Sequence, residues 1–102
     1  MSISDFIAAC AYGDEGRAKS MVERNPRILS KQGSYGNTGL MKALVHQHNS
    51  LCRWLLSLPG LDTNLANNLE KMTALHFACR YEAPLDIVAT LARLSSWETV
   101  NM

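Results

Sequence analysis

Apolar and hydroxyl positions recur along the chain at intervals of about 35 residues. Residues 38–43 and residues 73–78 both begin with threonine, with leucine two positions later and alanine five positions later. Residues 4–9 show the same pattern with serine, phenylalanine and alanine, 34 positions before residue 38. A period of this length is typical of a stack of similar structural units. The sequence therefore predicts one domain over residues 1–102, with units at about 4–36, 37–70 and 71–102.

A second apolar pattern follows in each unit, and apolar residues at i, i+3 and i+4 indicate one face of a helix. Its members are Ala18, Met21 and Val22, then Cys52, Leu55 and Leu56, then Val88, Leu91 and Ala92. Each unit thus predicts two short helices. Polar residues in the right places predict N-caps for these helices, namely Ser4, Thr38 and Thr73 for the first helices and Asp14 and Asn49 for the second. Pro84 suits a first turn. Turn-forming residues at 33–37 and 59–68 separate the units.

The third unit carries the clearest family likeness. Residues 73–78, Thr-Ala-Leu-His-Phe-Ala, resemble the ankyrin signature Thr-Pro-Leu-His-x-Ala, and the likeness extends over about the whole chain. It implies an all-α, ankyrin-type helix-turn-helix repeat solenoid with short finger hairpins. It also implies a structural hydrogen bond between His76 and the turn at Thr73. Met41 and Ile7 stand where the family has histidine in the other two units.

Charge and cysteine content indicate which partners and which cellular location to expect. Ten Lys and Arg residues against nine Asp and Glu give a net charge of +1, which favours neither nucleic acid nor a membrane surface as a partner. No apolar run is long enough to span a bilayer, and the N-terminus lacks a secretory signal, so a cytoplasmic or nuclear location is expected. The cysteines Cys10, Cys52 and Cys79 include no close pair, and we expect small buried hydrophobic side chains rather than disulfides or zinc ligands.

Residues with catalytic or ligating chemistry are scattered. His46 and His48 are two positions apart, which on a helix directs them to different faces rather than toward one metal ion. No phosphate-binding loop and no nucleophile elbow is present. The sequence therefore predicts a non-enzymatic protein with no cofactor and no metal.

The resemblance implies a partner surface on the concave groove and the fingers. Tyr12, His46 and Tyr81 share one register at the end of the first helix of each unit. Exposed Tyr, Met and Arg are enriched where proteins meet. The predicted partner-binding residues are Tyr12, Tyr35, Asn37, Val45, His46, Leu69, Glu70, Met72, Arg80 and Tyr81. The alternative is that these side chains only complete the packing of the stack.

The C-terminal end predicts a further contact. Residues 97–101 align with residues 61–64, the start of a finger, and 85–91 have the apolar character of an internal helix rather than of a polar cap. We expect the chain either to be the N-terminal part of a longer array or to form a homodimer through Leu91, Leu94 and Trp97. A third possibility is that Trp97 folds back over the last helix and leaves a monomer.

A rigid surface of this kind docks a partner without a large ordering cost. The sequence thus predicts an adaptor or scaffold that binds another protein. Two other classes stay open, namely a regulatory or targeting segment of a larger enzyme or channel, and a self-assembly unit.

Overall fold

A computed structural model describes residues 3–68 and 70–94, and these residues form three helix–turn–helix pairs. Two short 3₁₀ segments, Pro26–Ser30 and Ser34–Gly36, connect the first pair to the second. The described residues contain no β-strand. The helices are α1 (Ile3–Tyr12), α2 (Glu15–Arg24), α3 (Gly39–Val45), α4 (Asn49–Leu56), α5 (Ala74–Arg80) and α6 (Leu85–Leu94).

Successive pairs bury their apolar faces against one another. The first helices form an inner row in which α1 packs on α3 and α3 packs on α5, and the second helices α4 and α6 also meet. One continuous core results, as expected for repeats that cannot bury an apolar face alone. Its largest fully buried side chains are Phe6, Met21, Met41, Leu51, Leu55, Ile87 and Leu91.

Thr38 and Thr73 hold the N-cap positions of the inner helices α3 and α5, as predicted. The Thr38 hydroxyl accepts from the Met41 N–H at 3.3 Å, and the Thr38 N–H points at the Met41 Sδ at 3.4 Å. In α5 the Thr73 N–H donates to His76 Nδ1 at 3.0 Å, and the Thr73 hydroxyl lies 3.0 Å from the same nitrogen. A backbone N–H can only donate, so Nδ1 is an acceptor and the ring carries its proton on Nε2. The predicted structural bond of His76 is confirmed.

Of the caps predicted for the other helices, one is confirmed and two are wrong. Asp14 caps α2 as predicted, because its Oδ1 accepts from the Arg17 N–H at 3.2 Å. The prediction for Asn49 is wrong by one residue, since His48 holds the cap position and Asn49 begins α4. Ser4 lies inside α1 and so is not its cap. Pro84 directly precedes α6, and its carbonyl accepts from the Ile87 N–H at 3.0 Å.

Each helix pair turns through one residue in the left-handed region, namely Gly13 (φ 74°), Gln47 (φ 59°) and Glu82 (φ 56°). Side chains beside these turns connect neighbouring pairs. His48 Nε2 lies 2.8 Å from the Ala11 carbonyl of the first pair, and Gln47 Nε2 donates to the Tyr81 carbonyl of the third pair at 3.0 Å. The turn of the second pair therefore bonds to the pairs on both sides.

The segments between pairs form fingers that are closed by backbone hydrogen bonds. The Gly33 N–H donates to the Asn37 carbonyl at 2.8 Å in the first finger, and the Asn67 N–H donates to the Met72 carbonyl at 3.0 Å in the second. The Asn68 N–H donates to the Tyr35 carbonyl at 2.7 Å and joins the two fingers. The predicted short fingers are present, but they are turns without strands in the described residues.

The cysteines divide into two kinds. Cys10 and Cys52 are buried as predicted, whereas Cys79 is exposed, so the prediction for Cys79 is wrong. Cys10 and Cys79 hold equivalent places on α1 and α5. The next inner helix, α3, packs on α1, but no described helix follows α5 in the inner row. Cys79 therefore faces the open end of the described stack.

Candidate functional site

A cavity of about 610 Å³ opens beside the first two inner helices. This volume lies within the range of ligand-binding clefts, roughly 300–1,000 Å³. We call it the groove. Its lining residues come from α1, the first finger, α3 and the residue directly after α3; they are Ser4, Ile7, Ala8, Ala11, Tyr12, Ser34, Tyr35, Asn37, Lys42 and His46.

Small side chains on α1 make room for the groove. Ala8, Lys42 and Phe77 hold the same place on the three inner helices, one turn before Tyr12, His46 and Tyr81. In the third pair the Phe77 ring occupies this place. The ring is buried and stacks on Tyr81 with 6.1 Å between the ring centroids. In the first pair the methyl group of Ala8 leaves this place empty. The hollow is therefore confined to the first two pairs.

Tyr12 is the last residue of α1, and 84% of its surface is exposed. The chain reverses directly after it through Gly13 in the left-handed conformation. The backbone that carries the ring is fixed by this turn, where the Asp14 N–H donates to the Ala9 carbonyl at 2.9 Å. A ring that is exposed on a fixed backbone can contact a partner at little entropic cost.

Tyr35 stands at the tip of the first finger in an unfavourable backbone conformation. Its φ of 60° is followed by a φ of 76° at Gly36, and the Asn37 N–H donates to the Ser34 carbonyl at 3.2 Å, which together describe a type I′ turn. A left-handed residue with a side chain costs roughly 1–2 kcal/mol. Tyr35 is 68% exposed, so the packing of its ring does not offset this cost. Strain of this kind often marks a functional position.

Lys42 and His46 contribute the basic character of the groove. They are four residues apart, with Lys42 in the last turn of α3 and His46 directly after the helix, and Lys42 is half-buried. No carboxylate belongs to the residues that line the groove, and no described carboxylate pairs with Lys42. The His46 ring lies 6.2 Å from the His48 ring, and the described residues contain no group of three side chains that could hold a metal ion.

Glu70, Met72, Arg80 and Tyr81 form a second group, which we call the third-pair cluster. Arg80 Nη1 donates to Glu70 Oε2 at 3.0 Å and lies 3.8 Å from the Met72 Sδ, and its guanidinium sits 5.9 Å from the Tyr81 ring centroid. Within this cluster Arg80 and Glu70 therefore neutralise each other's charge. None of its four residues lines the groove.

Asn67 connects the groove to the third-pair cluster. Only 2% of this residue is exposed, and its Oδ1 accepts from the Met72 N–H at 2.9 Å. Its Nδ2 donates to Asn37 Oδ1 at 3.1 Å in the first finger and lies 3.5 Å from Glu70 Oε1 in the second. The side-chain amide thus ties both fingers together.

The predicted partner-binding residues therefore fall into two places. Tyr12, Tyr35, Asn37 and His46 line the groove, and the remaining described ones form the third-pair cluster, except Val45, which is half-buried against the core. Leu69 lies outside the described residues. Sequence reasoning missed Lys42 and also Ser4, Ile7, Ala8 and Ser34. The helical register one turn before Tyr12, His46 and Tyr81 was the signal that could have identified Ala8 and Lys42.

The residues predicted for self-association differ in exposure. Leu91 is fully buried within the chain, Leu94 is 47% exposed, and Trp97 lies outside the described residues. Leu94 and Leu85 leave apolar surface on α6. The homodimer stays a prediction, and light scattering over a range of concentrations tests it.

The buried thiols are chemically quiet. Burial raises the pKa of Cys10 and of Cys52 to about 12, so neither is a thiolate near neutral pH. Thiolates, not thiols, act as nucleophiles.

Among the described residues, no helix is both long and apolar enough to cross a membrane.

Known proteins resemble this chain along most of its length. The family model for ankyrin repeats, in three copies, matches residues 6–99. An ankyrin repeat-containing protein of Schizosaccharomyces pombe is 30% identical over 67 residues, which cover 66% of this chain and 44% of that protein. A chain in the solved structure of a predatory endopeptidase from Bdellovibrio bacteriovorus in complex with an immunity protein is 30% identical, with a TM-score of 0.74. That match covers 89% of this chain and 46% of the other, so this chain spans less than half the length of both relatives.

Proposed function

Because the chain belongs to the ankyrin repeat family, we propose that it is a non-enzymatic adaptor or scaffold that binds a partner protein. The proposed binding surface comprises the groove and the third-pair cluster. Proteins of this family are generally interaction modules, and the all-α stack of helix pairs supplies the rigid surface that such a module needs. A chain that spans less than half of its relatives can also serve as a segment of a larger protein.

The observation that carries this proposal is the pair of exposed tyrosines at the groove. Tyr12 and Tyr35 leave 84% and 68% of their surface exposed while they line one hollow whose wall includes Ala8 and Ala11. Tyrosine side chains are among the strongest contributors to protein interfaces, because they combine apolar area with a hydroxyl and lose little rotational freedom. The fixed turns under both rings keep the surface in place before a partner arrives.

A second candidate function is inhibition of an enzyme partner. It is supported by the likeness to a chain in the complex between a predatory endopeptidase and an immunity protein, at 30% identity. An inhibitor differs from an adaptor in its effect on the partner. Once a partner is identified, its activity should fall with stoichiometric addition of this chain if the chain is an inhibitor, and should be unchanged if the chain is an adaptor.

Capture of partners from an extract of the source cells tests the groove. Tyr12→Ala should reduce the amount of a specific partner on the immobilised chain, as measured by quantitative mass spectrometry. Leu85→Ala is the matched control, because Leu85 is 83% exposed on α6 and does not line the groove. Truncation of side chains this exposed should leave the fold intact, which circular dichroism would verify.

The two variants also show which surface is used. A partner that is lost with Tyr12→Ala and kept with Leu85→Ala supports the proposal. A partner that is kept with Tyr12→Ala and lost with Leu85→Ala would place binding on the α6 surface and contradict it.

A further inference from the structure

We propose that the groove selects a partner segment with an acidic side chain, which pairs with Lys42, next to an apolar side chain, which enters the hollow beside Ala8 and Ala11. This inference rests on the proposed function, because it names the kind of partner that the same groove accepts. It concerns an aspartate or glutamate side chain within an extended segment.

The charge of Lys42 carries the first part of the inference. Three other cations of the described residues pair with carboxylates, namely Lys19 with Glu15, Arg53 with Asp86 and Arg80 with Glu70. Lys42 is half-buried, and no described carboxylate lies within ion-pair distance of it. A docked segment would displace water from the groove and so strengthen the attraction between this ammonium group and a carboxylate.

The shape of the groove carries the second part. Ile7, Ala8 and Ala11 present apolar surface, and the exposed Tyr12 and Tyr35 rings stand at the same cavity. An apolar side chain that enters this hollow would bury surface that the chain itself leaves uncovered. The hollow ends at the third pair, where a phenylalanine fills the equivalent place, so the selected side chains should be close together in the partner segment.

Polar groups at the finger suit an extended backbone. Asn37 Oδ1 already accepts from Asn67, which directs the Asn37 amide nitrogen away from that bond and leaves its N–H groups for an acceptor in the groove. Ser34 adds a hydroxyl at the same end. A peptide carbonyl is an acceptor that these donors can bind.

A library of short random peptides tests the inference, with acetylated N-termini and amidated C-termini so that carboxylates come from side chains alone. Peptides enriched on the wild-type chain should carry Asp or Glu beside a large apolar residue. Their affinity should fall about tenfold with Lys42→Met, which removes the charge and keeps the alkyl stem. Lys31→Met is the control, because Lys31 is an exposed lysine outside the groove, and it should leave the affinity unchanged. Thermal melts should match for all variants.

The outcomes separate this inference from the proposed function. Enriched peptides that lack an acidic residue, or that lose affinity with Tyr12→Ala but not with Lys42→Met, would overturn the acidic selection and leave binding in the groove intact. Peptides that bind Tyr12→Ala and Lys42→Met as tightly as the wild type would contradict both. An absence of enrichment on the wild-type chain would also count against both.

Discussion

The turn between α1 and α2 offers a quantitative test of how neighbouring pairs hold together. Gly13 has a φ of 74°, and a Cβ atom added to it would lie 2.7 Å from the His48 Nδ1. Gly60 has a similar φ of 84°, but a Cβ atom added there would meet nothing within 4 Å. The two glycines therefore share a left-handed backbone conformation and differ in how closely other atoms surround them.

Alanine at either position must adopt the left-handed conformation. This costs roughly 1–2 kcal/mol, and the lower entropy of the unfolded chain offsets about 0.4–1 kcal/mol of it. Gly60→Ala should thus lower the free energy of unfolding by about 1 kcal/mol. Gly13→Ala should also displace the His48 ring and break its bond to the Ala11 carbonyl, which adds about 1 kcal/mol. The expected loss for Gly13→Ala is therefore about 2 kcal/mol.

Urea denaturation followed by circular dichroism measures these free energies, and a double-mutant cycle isolates the contact. In a His48→Ala background the ring is absent, so Gly13→Ala should cost no more than Gly60→Ala costs in the wild type. Equal losses for the two single glycine variants would refute the reasoning. So would a loss for Gly13→Ala that is as large with His48→Ala as without it.

Three further outcomes are expected. In the native chain Cys79 should react with a thiol reagent at mildly alkaline pH, whereas full unfolding should be needed before the reagent titrates Cys10 and Cys52, whose pKa values burial raises to about 12. Glu82→Gly should raise the free energy of unfolding in urea by about 0.5 kcal/mol, because glycine relieves the left-handed backbone at Glu82. The Arg53 guanidinium lowers the pKa of Asp86 below its ordinary 3.8, so this pair stabilises the fold above that pH and the stabilisation is lost as the pH falls through the lowered pKa. Thermal melts of Arg53→Gln should accordingly show a smaller loss of stability on acidification than the wild type.

Features that depend on a few adjacent residues were predictable from the sequence. Thr38 and Asp14 cap their helices with bonds that span three residues, and His76 bonds to Thr73 over the same distance. The repeat period then gave the order of the helices, because each unit repeats the same local pattern. Tyr12 and His46 could be placed in one groove for the same reason, since equal register puts residues on the same side of a stack.

Features that depend on contacts between units were not predictable. His48 rather than Asn49 occupies the cap of α4, because Gln47 in the left-handed conformation turns the chain one residue earlier and the His48 ring reaches the first pair. Cys79 is exposed because no described helix follows α5 in the inner row, and its apolar neighbours in the sequence do not reveal this. The helical register places Lys42 beside Ala8, but the cavity that both residues line is visible only once the helices are stacked.

Asn67 has a consequence for how the surface of this chain can change over generations. It is itself buried, yet its amide bonds the finger that carries Tyr35 and Asn37 to the finger that carries Glu70 and Met72 and so sets the distance between them. A substitution at Asn67 would move the two halves of the surface apart while every residue on that surface stayed the same. Selection for folding and selection for partner choice therefore act on one side chain that no partner ever meets.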